Sequence, residues 1–182
     1  MNTRAWLLRY RFLLTGMVAG CAAIFIGYKI YSFNETVGFS NGDTLPSFCY
    51  PDAGGNKICS GSFAGKIVLY QFWASWCEPC KAELPVLKQL YAGFRQFPSF
   101  RMVSISLDTD SSQWKTAIRR WDLPSPIQLC DLKGIDSPAT KTLGVTEIPA
   151  FILTDETGHV LARGLDLVGV RKVLEQKLGV SR

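Results

Sequence analysis

The sequence predicts an α/β domain built on a mixed central sheet flanked by helices, and three observations carry that expectation. An apolar run, Ile67 to Trp73, leads into a helical pattern, a second strand pattern at Arg101 to Leu107 follows it, and a late hairpin precedes a last helix. Strand, helix and strand with a long connection form a right-handed crossover between parallel strands, whereas a hairpin is antiparallel. The sheet therefore has to be mixed.

Each element has its own local signal. A hairpin-like entry around Phe48 to Ile58 encloses the turn-forming run Pro51-Asp52-Ala53-Gly54-Gly55-Asn56-Lys57. Ile67 to Trp73 reads as the central strand, and a helix is expected from about Glu78 to Phe94, with Leu84, Leu87, Leu90, Tyr91 and Phe94 on one stripe. Val103, Ile105 and Leu107 alternate as one face of the second strand. Trp114, Ala117, Ile118 and Trp121 then fall at i, i+3, i+4 and i+7, a helix that Asp110, Ser111 or Ser112 can cap. A short strand at Ile127 to Leu129 and a small helical piece at Pro138 to Leu143 follow. Phe151 to Thr154 and Val160 to Arg163 flank the turn Asp155-Glu156-Thr157-Gly158. The last helix runs from Leu167 to Leu178, between Asp166 as N-cap and Gly179 as its stop. No repeat and no low-complexity tract interrupts this order.

The 182 residues leave room for an appendage, and it lies at the N-terminus. Phe12 to Tyr28 is almost wholly apolar, carries no charge, and is flanked by Arg4, Arg9 and Arg11 before it and Lys29 after it. That length suits a single membrane crossing. The arginines keep the N-terminus inside, so the rest of the chain is expected outside the cytoplasm, on the periplasmic side of a bacterial membrane. The expected division is a signal-anchor at 1–31, a linker at 32–42 and one domain at 43–182. Two readings of the anchor stand: an uncleaved span, which the apolar run Ala22 to Ile26 favours, or a lipoprotein attached at Cys21 of Val18-Ala19-Gly20-Cys21. Both tether the domain outside. The net charge of +5 comes largely from this region, since residues 1–31 hold four basic and no acidic residues and leave sixteen basic against fifteen acidic. No basic patch remains to bind nucleic acid.

Chemistry concentrates in Trp76-Cys77-Glu78-Pro79-Cys80. Two cysteines three apart at the start of a helix place both sulfurs on its first turn, where unpaired N–H groups and the helix dipole stabilise a thiolate. Cys77 is the expected nucleophile. Cys80, one turn in, is placed to attack the mixed disulfide that Cys77 forms with a partner. A zinc site would need two more ligands, but Cys49, Cys59 and Cys130 form no second Cys-x-x-Cys, and the single histidine, His159, lies in a turn. No metal and no organic cofactor is expected, because the cysteine pair itself carries two electrons.

The run Phe72-Trp73-Ala74-Ser75-Trp76-Cys77-Glu78-Pro79-Cys80-Lys81 resembles the active-site run of thioredoxins. The resemblance extends in element order over about Asp43 to Val180 and includes Pro85, Ile148-Pro149 and Gly158, which implies a thioredoxin fold with an N-terminal hairpin extension. Pro149 resembles the family's cis-proline. On that reading Ile148 and Pro149 shape the groove for an extended client, and Trp76 flanks it. With the Cys-Glu-Pro-Cys centre, the anchor and Glu83, the chain resembles most the membrane-anchored reductases of the ResA and TlpA type. That implies reduction of a disulfide-containing client protein outside the cytoplasm, typically in cytochrome c maturation, with a membrane electron donor to restore the pair.

One departure bears on mechanism. Gln71 stands where ordinary thioredoxins carry a buried aspartate that takes a proton from the second cysteine, and a neutral amide cannot take it. Glu83 or Glu78 is the candidate carboxylate, although Glu83 also suits a plain solvent-facing helix position. Strong oxidases of the family usually carry histidine between the cysteines, whereas Glu78-Pro79 offers no cation, so a reductant is expected. Three competing functions stand beside it: a tethered binding module without turnover, a disulfide isomerase and an oxidase. Ala74 stands where a peroxiredoxin would need threonine or serine. Of the other cysteines, Cys49 meets Cys59 only if the hairpin turn is the three residues Ala53 to Gly55; a two-residue turn would set Cys49 opposite Ser60. A disulfide and two separate thiols both remain open there. Cys130 reads as a small buried hydrophobe, and His159 as an exposed bystander.

Overall fold

The computed structural model describes residues 40–164 and 166–180, together with Gly20. Gly20 apart, the segment 12–28 read as an anchor lies outside the described residues, as do Cys21 and residues 32–39 of the expected linker. Among the described residues no helix is long and apolar enough to cross a membrane.

A small hairpin, β1 (Cys49–Pro51) and β2 (Lys57–Cys59), opens the domain. Strand β3 (Ile67–Trp73) precedes helices α1 (Glu78–Ala82) and α2 (Leu84–Phe94), followed by β4 (Phe100–Ser106), α3 (Ser111–Trp121), β5 (Ile127–Leu129), α4 (Pro138–Thr142), β6 (Ala150–Thr154), β7 (Val160–Arg163) and α5 (Leu167–Leu178). The five-stranded sheet has the order β5-β4-β3-β6-β7. Strand β3 runs parallel to β4, and β4 to β5, while β6 is antiparallel to both β3 and β7. This is the expected mixed sheet, a thioredoxin fold with a hairpin extension.

Strand β3 is buried at every position, as an unbroken apolar run at the centre of a covered sheet should be. Ile67 and Leu69 on one face join Phe100, Met102, Phe151 and Leu153 against Leu84, Leu87 and Leu90 of α2 and Val170 and Leu174 of α5. On the other face Tyr70 meets the rings of Phe48 and Phe63 at 5.3 and 6.4 Å. The hairpin is tied to the sheet edge: Cys130 N–H donates to the Pro51 carbonyl at 3.0 Å, and Asp52 bridges Leu129. The buried phenol of Tyr50 bonds Ser137 Oγ at 3.1 Å and Thr140 Oγ1 at 2.6 Å, locking the hairpin to α4.

Three details differ from the sequence reading. The helix expected over 78–94 is two helices, broken at Glu83. Pro85 is the cause: it has no N–H for the carbonyl of Lys81, and its ring crowds that carbonyl. Strand β4 starts one residue early, and it is buried on both faces, because Phe100 and Met102 also meet α2 and α5. Two single 3-10 turns, Ser60–Phe63 and Gly134–Asp136, had no periodic signal to announce them. Elsewhere the caps hold as read: Asp110 accepts from Gln113 N–H at 2.8 Å, Asp166 from Gly169 N–H at 2.7 Å, and Gly179 ends α5 with φ 67°.

Candidate active site

Strand β3 ends at Trp73, and the chain turns through Ala74, Ser75 and Trp76 to Cys77, the N-cap of α1. Cys77 has extended backbone, and Pro79 fits the first turn because its missing N–H would have had no helical partner. Cys80 N–H donates to Cys77 Sγ at 3.2 Å, and the two sulfurs are joined as a disulfide with Cα atoms 5.3 Å apart. Both cysteines are buried, 3% and 2% exposed, beside Trp76 at 63%. A client must therefore come down onto the surface for its sulfur to meet Cys77. Glu78 and Lys81 lie exposed on the outer side of the turn and form a 3.6 Å ion pair, which contributes little where water screens it.

The floor of this loop is a buried carboxylate that the sequence reading did not single out. Asp108, just past β4 and 1% exposed, accepts from Ser75 N–H at 3.0 Å, Ser75 Oγ at 2.6 Å and Ser106 Oγ at 2.6 Å. Its own N–H returns to Ser106 Oγ at 3.0 Å. These bonds fix the residue two before Cys77 to the neighbouring strand. A charged residue directly behind an apolar parallel strand, next to the strand that carries the motif, was the available signal, since sites in α/β sheets gather at that end.

The bond between Ile148 and Pro149 is cis. Ala150 pairs with Phe72, so Pro149 comes level with Trp73, at the end of the sheet where the cysteine loop begins. Ile148 and Pro149 are both half-buried. Gln71 is buried lower on β3, where its Oε1 accepts from Ser104 Oγ at 2.9 Å.

Glu83 sits at the break between α1 and α2, the helical i,i+3 neighbour of Cys80. It is half-buried, and its Oε2 is enclosed without a hydrogen-bond partner among the described residues. The plain solvent-facing reading does not fit that environment. Burial first, and the charge of Asp166 second, raise its carboxyl above the ordinary carboxylate range.

The hairpin takes the three-residue turn, with Cys49 opposite Cys59 and the two joined as a disulfide. Cys130 is a buried free thiol whose Sγ contacts the Asp108 carbonyl at 3.4 Å, and burial pushes that thiol up. His159 lies at the far hairpin, partly exposed, with Nδ1 2.7 Å from Thr157 Oγ1. Among the described residues no cluster of three acidic, histidine or cysteine side chains could hold a metal ion.

Residues 65–160 match the thioredoxin-like family. The thiol-disulfide oxidoreductase ResA of Bacillus cereus is 29% identical over 75% of this chain and 77% of that protein. The thioredoxin-like protein YneN of Bacillus subtilis is 31% identical over 85% of this chain and 87% of its own length. Among solved structures, a thiol-disulfide oxidoreductase from Bacteroides fragilis superposes with a TM-score of 0.66 at 33% identity, covering 75% of this chain and 98% of that one.

Proposed function

Because this chain belongs to the thioredoxin-like family and is a thiol–disulfide oxidoreductase, we propose that it runs as a reductant of client-protein disulfides outside the cytoplasm. Reduced Cys77 attacks one sulfur of the client disulfide as a thiolate. The client's other sulfur leaves as a thiolate and takes up a proton. Cys80 then gives up its proton and attacks Cys77 Sγ, the mixed disulfide breaks, and the client's second sulfur leaves. Two electrons and two protons pass to the client, and the Cys77–Cys80 disulfide remains. A membrane electron donor restores the dithiol. Cytochrome c maturation, with its need for reduced cysteines, supplies a client class, and Arg4, Arg9 and Arg11 ahead of the apolar 12–28 segment support the extracytoplasmic placement.

The observation that carries the direction is Glu83, a half-buried carboxyl one helical turn beyond Cys80. No cation lies between the cysteines, and a nearby negative charge disfavours the thiolate on which a strong oxidant's reduced form depends. Pro149 with Ile148 and the exposed Trp76 form the client-facing rim around Cys77. Equilibration of the full chain with glutathione tests the direction. The expected potential lies nearer about −270 mV than about −120 mV, and a value above about −150 mV would reverse the assignment.

A further inference from the structure

Among the described residues five large apolar side chains are substantially exposed: Trp76, Val86, Leu132, Ile135 and Val168. Val86 and Val168 lie on α2 and α5, whereas Trp76, Leu132 and Ile135 lie on loops that follow β3 and β5. Because β3, β4 and β5 are parallel, those loops leave the sheet at the same end. The loop of β4 lies between them and ties them together. Asp108 holds Ser75, next to Trp76, and on its other side the loop packs on Gly134: a side chain begun there would meet Thr109 Cγ2 at 3.2 Å and the Leu107 carbonyl at 3.5 Å. Leu132 lies two residues before Gly134 and Ile135 one after it, on that same packed turn.

This turn is held in place. Asp131 accepts from Lys133 N–H at 3.1 Å and from Ser137 Oγ at 2.6 Å, closing the loop on both sides of the apolar pair. Leu132 has φ 59°, a left-handed conformation that a branched apolar residue rarely adopts, yet its side chain is 40% exposed, and that of Ile135 is 44% exposed. The fold fixes two apolar side chains in solvent rather than turning them into its core.

We propose that Leu132 and Ile135 extend the client-binding surface beyond Trp76 and select client segments that carry an apolar residue within a few positions of the reactive cysteine. The occupant is an extended segment of the disulfide-bonded client itself. It follows from continuity with the redox centre: Cys77 is nearly buried, so a client sulfur reaches it only when the flanking chain lies flat on the surrounding surface. At about 3.3 Å per residue, side chains two or three positions from that cysteine come down on the neighbouring loops. Ile148 and Pro149 lie on the β6 side of the cysteine loop, and Leu132 and Ile135 lie on its β5 side, beyond the loop that follows β4.

This inference rests on the oxidoreductase reading but not on its direction. The test uses the full chain and three probes: glutathione disulfide, a peptide–glutathione mixed disulfide with leucine two residues on each side of the peptide cysteine, and the same peptide with serine there. Wild type is expected to favour the leucine peptide by about tenfold in kcat/KM, through KM, a factor that corresponds to about 1.4 kcal/mol. Leu132→Ser with Ile135→Ser should reduce that preference to about twofold or less while glutathione disulfide turns over as before. Unchanged preference, an equal loss on all three probes, or loss of preference in Val168→Ser instead would overturn the proposal. So would a change confined to sedimentation, which would make the patch a self-association surface. Running the exchange in both directions separates the two readings, because an oxidant would fail the proposed direction and still discriminate between the peptides.

Discussion

Cys49–Cys59 and Cys77–Cys80 are the same covalent bond in two settings, and the settings divide their roles. Cys49 and Cys59 face each other across antiparallel strands, 10 residues apart in sequence, with Cα atoms 4.0 Å apart. The ladder bonds fall on either side of them, from Ser60 N–H to the Phe48 carbonyl and from Asp52 N–H to the Asn56 carbonyl, so the cysteines occupy a non-hydrogen-bonded pair, where side chains come closest. Cys77–Cys80 instead spans one helical turn, and Cys77 Sγ accepts from Cys80 N–H at 3.2 Å. When this bond opens, a donor already faces the sulfur that becomes a thiolate. When the hairpin bond opens, two strands lose their tie and neither sulfur gains a partner. Exchange chemistry thus follows from the local backbone, not from the presence of a disulfide.

The sharpest break of this comparison is to remove each bond in turn. Cys77→Ala should abolish turnover of a disulfide substrate, and Cys80→Ser should leave a client trapped on Cys77. Cys49→Ala with Cys59→Ala should keep turnover and lower stability by about 2 to 3 kcal/mol, the range for closing a loop of this length. Insulin-disulfide reduction and a urea melt read the two effects apart. Activity that follows Cys49 rather than Cys77 would exchange the roles.

The next largest effect is electrochemical. The two disulfides should differ in potential, with the hairpin bond resisting glutathione where the Cys77–Cys80 pair equilibrates near about −270 mV. Quantifying both by mass spectrometry across a glutathione series checks this. If both pairs reduce together, the local backbone does not separate them.

Much of this contrast was legible in the chain. The spacing of Cys77 and Cys80 behind an apolar strand gave their place, because a strand-to-helix turn leaves few alternatives for residues on the first helical turn. The hairpin was legible only as a pair of registers, since Gly54-Gly55 permits two turns and a one-residue slip reverses the face of every side chain. What the chain hid was long-range and polar. Asp108 lies 33 positions from Ser75 in sequence, and no local period reports a bond of that reach. The break at Glu83 was readable from Pro85, but the helical stripe of leucines continues across it and hides the interruption.

A smaller effect separates the floors beneath the two disulfides. Under the cysteine loop lies Asp108 with its serines; beside the hairpin lies Tyr50 with Ser137 and Thr140. Asp108→Asn turns an amide donor toward groups that already donate and should destabilise the domain by about 1 to 3 kcal/mol, with a fall in kcat. Tyr50→Phe leaves Ser137 and Thr140 without the phenol and should cost about 1 kcal/mol, with kcat retained. Equal kcat losses in the two variants would mean that both act through stability alone.

The smallest effect is a pH dependence confined to the redox side. Glu83's raised carboxyl pKa means that the protein gains stability from this group fully below the unfolded-state value and loses it as pH rises through the folded value. Glu83→Gln has no such charge to bury. It should match wild type in acid and exceed it at neutral pH, with the difference opening across that interval and then staying level. The same substitution removes a negative charge one turn from Cys80, so the Cys77 thiolate forms at lower pH and the potential of the pair rises, while the hairpin disulfide keeps its own potential. Paired melts and thiolate absorbance titrations, wild type against Glu83→Gln, read both halves. A stability gap that opens with no shift in the Cys77 titration would make Glu83 a buried charge of the helix junction alone, and proton transfer from Cys80 would then need a different group.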